Sequence, residues 1–150
     1  MNTHLGLDNM IVQDQITEYL TTLPPAKSSD LLHLHQLIMS LNPGCKLWYL
    51  DGKNDVGKVV SNPNIGYGIH QLNYANGTRK EFYRIGICAT STGISVYILG
   101  FPEKNFLKLN FEKRLGKASV SGYCIKFKKL QDIQLKVLKE AIIKGFELGN

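Results

Sequence analysis

The fold is decided by residues 80–99, which read KEFYRIGICATSTGISVYIL. The first half of this stretch has two unlike faces at the period-two spacing of a strand. One face is predicted to carry Tyr83, Ile85 and Ile87, and the other Phe82, Arg84 and Cys88. Ser91-Thr92-Gly93 predicts a turn, and residues 94–99 predict the next strand. The stretch therefore predicts two neighbouring antiparallel strands.

Further strands are predicted around this pair. Asn76-Gly77 favours a hairpin because both residues tolerate positive φ, and it joins the strand over 80–89 to a strand over 65–72. Shorter strands are predicted over 46–50, 56–60 and 123–128. Together these segments predict an antiparallel meander.

Four segments show the helical spacing of apolar residues. Their inward faces are Val12, Ile16, Tyr19, Leu20 and Leu23; Leu31, Leu34, Ile38 and Leu41; Leu107, Phe111 and Leu115; and Leu135, Leu138, Ile142 and Phe146. The first helix is predicted to start at Asp8 or Asn9, and the second to be capped by Ser28, Ser29 or Asp30. The third is predicted to start at Pro102 and the fourth to be capped by Asp132. Helices segregated from an antiparallel sheet predict the α+β class. We expect about five to six strands flanked by two N-terminal helices, one inserted helix and a C-terminal helix.

Length and composition predict a single domain over residues 1–150, with its core at about 12–148. The apolar share is 43% and the charged share 20%, close to ordinary globular usage, which excludes a disordered, fibrous or disulfide-framework protein. Residues 1–10 carry neither a basic nor an apolar segment, and no apolar run approaches the ~20 residues of a membrane span. A cytoplasmic location is expected. The three cysteines are predicted to be buried, reduced thiols: Cys45, Cys88 and Cys124.

Positive charge is concentrated in the C-terminal half. The formal net charge is +6, and residues 76–150 hold 14 Lys and Arg against 6 acids, a balance of +8. Eight basic residues lie within 104–129: Lys104, Lys108, Lys113, Arg114, Lys117, Lys126, Lys128 and Lys129. Such a stretch can bind phosphate backbones, so polyanion or nucleic-acid binding is one predicted function. The alternative is that these side chains are solvated faces without a ligand.

Residues 51–70 predict a ligand site, because polar groups and glycines crowd between two elements that must pack. The residues assigned to it are Trp48, Tyr67 and Tyr83 for apolar contact, Lys58, Asn62, Asn64 and Arg84 to fix a small anionic ligand, and His70 on the glycine-lined strand. A non-enzymatic ligand- or partner-binding role is the leading prediction. The alternative is two tight turns and a bulged strand with no ligand.

No pattern in the sequence predicts catalysis or a metal centre. His33 and His35 would point about 200° apart on a helix and cannot share a metal, so His35 is interpreted as a partly buried structural residue. Asp51 and Asp55 lack the spacing of a calcium loop, and the Gly57-Lys58 pair lacks the spacing of a phosphate loop. We assign no catalytic residue, metal ligand or cofactor.

Several segments resemble the YdhG-like family of small bacterial domains of unknown function. They are YLTTLPP at 19–25 before a leucine-rich helix, KLWYLDGK at 46–53, and GYCIKFKKL at 122–130 before the final helix. The resemblance implies a frataxin-like helix-flanked antiparallel sheet, a bacterial cytoplasmic setting and, as for some members, an iron-chaperone role. Iron is therefore a cofactor or cargo implied by resemblance only. No metal ligand is carried over, since the first helix offers only Asp14 and Glu18, with Asp8 just before it.

Overall fold

Four helices and two antiparallel sheets form the protein, whose computed structural model describes the backbone of residues 3–148 and the side chains of residues 6–148. The helices are α1 (Thr3–Thr21), α2 (Pro25–Leu41), α3 (Phe106–Leu115) and α4 (Leu135–Glu147). The strands are β1 (Leu47–Leu50), β2 (Asn64–Tyr67), β3 (His70–Asn73), β4 (Arg79–Phe82), β5 (Ile85–Ala89), β6 (Ile94–Ile98), β7 (Ala118–Ser121) and β8 (Cys124–Phe127). The predicted α+β class is confirmed.

The larger sheet has six strands in the order β1-β2-β5-β6-β8-β7, and every neighbouring pair is antiparallel. Strands β3 and β4 form a separate hairpin that extends the β2–β5 pair. The ladder is interrupted at 68–69 and at 83–84. Gly68 has a φ of +76°, a left-handed conformation that glycine adopts without strain, and it ends β2. The strands predicted over 65–72 and 80–89 are therefore each two strands.

One face of the six-stranded sheet packs against the helices. Its rows are Leu47, Tyr67, Ile85 and Ile98, and Tyr49, Ile65, Ile87, Val96, Ile125 and Val120. Helix α1 lies against β1, α2 and α4 lie against β5, and α3 lies against β7. Ile38, Leu138 and Ile142 are fully buried in the core that helices and strands share. The predicted inward stripes thus meet the sheet.

Helix starts differ from the prediction by a few residues. Helix α1 begins at Thr3, so Asp8 and Asn9 lie inside it rather than at its start. Helix α2 begins at Pro25, before the predicted serine caps, because proline suits the first turn of a helix. Helix α3 begins at Phe106 rather than at Pro102. Helix α4 begins after Gln134, since Asp132 closes a short 3-10 turn instead of capping the helix.

Two strand predictions need correction. Residues 56–60 are not a strand: they are exposed and make a single isolated bridge, between Lys53 and Val59. Strand β7 was not predicted because its sequence, ASVS, is short and weak in β-branched residues. Its pairing with β8 supplies what the local sequence lacks.

The second face of the six-stranded sheet, called the open face below, receives none of the helices. Its strand positions are Trp48, Leu50, Asn64, Gly66, Gly86, Cys88, Ser95, Tyr97, Cys124, Lys126, Ser119 and Ser121. None of these positions belongs to the core that the helices share with the strands. Over the described residues, none of the helices has both the length and the apolar character needed to cross a bilayer.

Candidate functional site

Tyr83 lies at the centre of the open face, on a floor made by two glycines. Gly66 and Gly86 are paired directly across β2 and β5. A Cβ at Gly66 would lie 2.6 Å from Cβ of Tyr83, and one at Gly86 would lie 2.5 Å from its Cε1. The Tyr83 side chain is consequently only 5% exposed, although no helix covers it. This position corrects the sequence prediction, which put Tyr83 on the same face as Ile85 and Ile87. The interruption at 83–84 breaks the alternation.

An aromatic cluster holds Tyr83 in place. The Tyr83 hydroxyl donates a hydrogen bond to Oδ1 of Asn64 at 3.0 Å. Phe82 stacks on the Tyr83 ring with centroids 4.2 Å apart, and Trp48 meets Phe82 edge-on at 6.1 Å. The Trp48 indole donates to the carbonyl of Gly68 at 2.8 Å. Two hydrogen bonds and two ring contacts therefore link Trp48, Phe82 and Tyr83 to each other and to the backbone.

A second aromatic pair lies across the sheet from this cluster. The rings of Tyr97 and Tyr123 are 5.9 Å apart, and Tyr123, at the β7–β8 turn, is 57% exposed. Lys126 is exposed on β8, where it pairs with Ser95 on one side and Ser119 on the other. We call Trp48, Phe82, Tyr83, Tyr97, Tyr123 and Lys126 the aromatic face.

Charge on the open face is positive. Lys126 is the one charged residue among its strand positions, none of which is acidic. At the edge of the sheet, Nζ of Lys46 lies 4.1 Å from the centroid of the Trp48 ring, a cation–π contact. The surface thus combines π-faces with ammonium groups and presents no strand carboxylate to repel an anion.

Two thiols lie beneath the aromatic side chains of this face. Cys88 and Cys124 are buried and free. Burial, followed by the neighbouring Cys124, raises the pKa of Cys88 to about 11. Burial also raises the pKa of Tyr83 and of Tyr97. At neutral pH the face therefore offers neutral hydroxyls and unreactive thiols rather than a nucleophile.

The residues predicted to bind a ligand do not form one site. Trp48, Asn64 and Tyr83 lie together on the open face, as described above. Tyr67 points to the helices and is fully buried, and its hydroxyl lies 2.7 Å from Nδ1 of His35. It therefore cannot line a pocket near residues 51–70. The interpretation of His35 as a structural residue is confirmed, since its Nε2 also lies 2.8 Å from Oε1 of Gln13.

The other four predicted ligand residues are dispersed. Lys58 and Asn62 are exposed on the excursion between β1 and β2, where the Asn54 side chain accepts from the Lys58 amide in a turn. His70 begins β3 opposite Phe82, and Arg84 lies in the interruption between β4 and β5, where its Nη1 donates to the carbonyl of Leu99 in the loop that follows β6. A pocket assembled from all eight residues is therefore absent from the described structure.

The basic residues of 104–129 are also distributed over several surfaces. Lys108 pairs with Glu112 at 3.3 Å, and Arg114 pairs with Glu140. Lys128 and Lys129 line a groove of about 620 Å³ between the start of α2 and the β5–β6 turn. Lys104 lies beside a second cavity, and Lys113, Lys117 and Lys126 are exposed on separate elements. They do not form a continuous stripe.

Sequence reasoning missed Tyr97 and Tyr123 as site residues. The signal was present, because Ser95 and Tyr97 alternate with Ile94, Val96 and Ile98, which are buried on the helix side. A tyrosine on the polar face of a strand is a candidate contact residue. What the local pattern could not show is that this face has no helix over it.

Neither comparison with known proteins nor a search for metal-ligating side chains assigns a family or a metal site. The chain matches no protein-family model, no curated protein and no solved structure. Over the described residues, no group of three His, Cys, Asp or Glu side chains could hold a metal ion. The YdhG-like resemblance and the iron role it implies stay predictions.

Proposed function

We propose that the chain is a binding domain that holds single-stranded nucleic acid on its aromatic face. One observation carries the proposal: the sheet face that the helices leave open carries five aromatic side chains and a lysine, and no acid among its strand positions. Unpaired bases stack on aromatic rings regardless of sequence, and lysines neutralise the phosphates between them. The net charge of +6 has the sign that this ligand requires.

Each part of the face has a role in this proposal. Tyr123 and Tyr97 offer one stacking platform, and Trp48 with Phe82 offers another. Tyr83 lies on its glycine floor with Phe82 stacked on its ring, and it is only 5% exposed, so in this proposal it supports the Trp48–Phe82 platform rather than stacking on a base. Lys126 is placed to meet a phosphate.

Single strands suit this surface better than duplexes do. Stacking on Tyr97 or Tyr123 needs a base whose face is free, and bases in a duplex are already stacked on each other. A broad sheet face also lacks the convex helix or ribbon that enters a major groove. The dispersal of the eight residues predicted from 48–84 is the reason for preferring this surface to a small-ligand pocket near 51–70.

The compartment is part of the same proposal. Cys45, Cys88 and Cys124 are all free, a state typical of reducing compartments. We therefore place the protein in the cytoplasm, where single-stranded RNA is available as a ligand.

The test is binding of a labelled 12-residue oligonucleotide, measured by fluorescence anisotropy at low salt. We expect single-stranded RNA or DNA to bind, a duplex of the same sequence to bind more weakly, and affinity to fall steeply with added salt. Trp48 is the only tryptophan, so quenching of its emission reports contact with the face directly.

Matched variants locate the surface. Tyr97→Ala and Tyr123→Ala should each weaken binding about 5- to 150-fold, the equivalent of ~1–3 kcal/mol per stacked base. Lys126→Ala should weaken it more than Lys113→Ala, which removes the same charge from the exposed side of α3. Absence of binding at low salt, or equal losses in the two lysine variants and none in the tyrosine variants, overturns the proposal. Binding of a protein in place of nucleic acid would do so too.

A further inference from the structure

Three lysines line one groove at the end of the six-stranded sheet where β5 turns into β6. The groove has a volume of about 620 Å³ and lies between the start of α2, the β5–β6 turn and the segment that follows β8. Its basic residues are Lys27, Lys128 and Lys129. Among the described residues, none of these three ammonium groups lies within ion-pair distance of a carboxylate. Their positive charge is therefore not neutralised by an ion pair within that part of the protein.

Helix α2 is tied by hydrogen bonds to the other two walls of the groove. Nζ of Lys27 donates to the carbonyl of Thr90 at the β5–β6 turn. The amide of Leu130, after β8, donates to Oδ2 of Asp30 on α2 at 3.1 Å. An ammonium group has three N–H donors, so Lys27 keeps two of them for a ligand while the third holds it in place.

A glycine lets the remaining two walls meet. A Cβ on Gly93 would overlap the carbonyl oxygen of Phe127 and would lie 2.9 Å from Cα of Lys128. The missing side chain therefore allows the β5–β6 turn to lie directly against the end of β8. Ser91 and Thr92, just before this glycine, are exposed and line the groove. The lining thus combines hydroxyl donors with ammonium donors on walls that the protein's own contacts hold together.

The charge of the lining distinguishes between kinds of anion. Three lysines and one acid, Asp30, give the lining a formal charge of +2, and the Asp30 carboxylate is already engaged by the Leu130 amide. A phosphate monoester carries about −1.5 to −2 at pH 7, which matches this charge, whereas a single carboxylate leaves half of it unbalanced. Lysine binds phosphate as a point charge, and hydroxyl groups can donate to the phosphate oxygens.

We propose that this groove binds the phosphate monoester group of a small molecule. Its volume lies within the ~300–1,000 Å³ of typical small-molecule sites, so it has room for an organic group beside the phosphate. Pro24 and Ala26 supply apolar surface for that group. None of the six residues of the aromatic face lines the groove, so this site is additional to the proposed nucleic-acid surface.

The test is a titration of the isotope-labelled full chain at pH 7.5, followed through its backbone amides by nuclear magnetic resonance. The probes are inorganic phosphate and glycerol phosphate. Sodium chloride, sodium acetate and glycerol are the references, and all salts are compared at matched ionic strength. We expect the amide signals of residues 91–93 and 128–131 to shift with the phosphate probes, to shift less with acetate, and not to shift with glycerol.

Each result supports or overturns the proposal. A shift of these signals with either phosphate probe, larger than the shift with acetate, supports it. Tighter binding of glycerol phosphate than of inorganic phosphate shows in addition that the organic group makes contact. No phosphate shift beyond the chloride reference overturns the proposal. An acetate shift equal to the phosphate shift also overturns it, since the groove would then not select the doubly charged anion.

Paired lysine variants locate the phosphate. The double variant Lys128→Ala, Lys129→Ala removes two exposed ammonium groups from the groove and should weaken glycerol phosphate binding about tenfold or more. The double variant Lys113→Ala, Lys117→Ala lowers the net charge equally at exposed positions outside the groove. Because salt screens distant charges, it should weaken binding by less than about twofold. Equal losses in the two double variants would mean attraction by net charge alone and would overturn the site.

Glycerol phosphate has no base to stack, so the two proposals can fail separately. Tyr97→Ala, which tests the nucleic-acid surface, should bind glycerol phosphate as the wild type does. Loss of this binding in Tyr97→Ala would place the phosphate on the aromatic face and would overturn the groove as its site.

Discussion

The hydroxyl of Tyr67 and Nδ1 of His35 are 2.7 Å apart, and this buried contact ties α2 to β2. Tyr67 is fully buried and His35 is 4% exposed, so neither group can exchange its partner for water. Removal of the hydroxyl in Tyr67→Phe leaves a buried ring nitrogen unsatisfied. We expect a loss of about 1–3 kcal/mol in the free energy of unfolding. Urea denaturation measures it, and Tyr74→Phe, which alters an exposed tyrosine, is the matched control.

His35 also makes the protein sensitive to acid. Burial lowers the pKa of His35 from 6.5 in the folded protein. In the interval below 6.5 the unfolded chain binds the proton and the folded protein does not, so the free energy of unfolding falls as the pH drops through that interval. The full contribution of His35 is present above 6.5.

We therefore expect the urea midpoint of the wild type to be lower at pH 5.5 than at pH 7.5. His35→Gln should show a smaller difference between the two values, with some remaining because the pKa of His70 is lowered in the same direction. His33→Gln alters an exposed histidine of the same helix and should keep the wild-type difference. An unchanged pH dependence in His35→Gln would contradict the expectation.

The helix stripes and the strand alternation were predictable because each is a local pattern. Ile38, Leu138 and Ile142 recur at helical spacing, and the structure buries all three against the sheet. Ile85 and Ile87 alternate as a strand requires and are fully buried. Fold class follows from such patterns, since apolar stripes of helices must be covered by something.

The candidate site could not be predicted in the same way, because it depends on where strands stop. The interruption at 83–84 moves Tyr83 to the open face, and the glycines that seat it belong to two different strands. The pairing of Gly66 with Gly86 is set by register, which no stretch of sequence shows alone. Tyr67 is a different case: it lies two positions from the buried Ile65 in the same strand, so local spacing favours the core, and its assignment to a pocket was wrong.

The glycine floor under Tyr83 gives a sharp test of the aromatic face. In Gly86→Ala the new methyl group would lie 2.5 Å from the Tyr83 ring, and the ring must leave its seat. We expect a loss of about 1–3 kcal/mol in the free energy of unfolding, typical of overpacking, together with a change in Trp48 fluorescence as the cluster moves. Gly6→Ala is the control, because nothing lies within 4 Å of the added Cβ and alanine favours the helix there. A Gly86→Ala protein as stable as the wild type would mean that the ring is not held as described.

The thiols beneath the aromatic face should be inert. Cys88 is 3% exposed and its pKa is raised to about 11, so little thiolate forms at pH 8. Strand β6 separates β5 from β8, and strands are about 4.8 Å apart, which puts the Cα atoms of Cys88 and Cys124 about 10 Å or more from each other. That spacing is too long for a disulfide without backbone movement.

We expect a thiol reagent such as dithionitrobenzoate to label the native protein slowly at pH 8 and to find three thiols after denaturation in guanidinium. Mild oxidation should yield no intramolecular disulfide between Cys88 and Cys124. Fast labelling of the native protein would show that the face opens on the timescale of the reaction. Cys88→Ser would then identify which thiol is reached.

The contact of α4 with the sheet depends on the missing side chain of Gly145. A Cβ on this residue would overlap Cγ2 of Ile98 and would lie 2.9 Å from Cδ1 of Ile85. On an exposed helix position, glycine to alanine is stabilising by up to about 1 kcal/mol. At Gly145 we expect the opposite sign, a loss of about 1–3 kcal/mol in the free energy of unfolding, because overpacking outweighs helix propensity.

Ile98→Ala opens a cavity beside Gly145 and should also destabilise the protein. In the double variant the new methyl group enters that cavity. Its loss of unfolding free energy, measured by urea denaturation, should therefore be smaller than the sum of the losses in the two single variants. Strict additivity would show that Gly145 and Ile98 are not in contact.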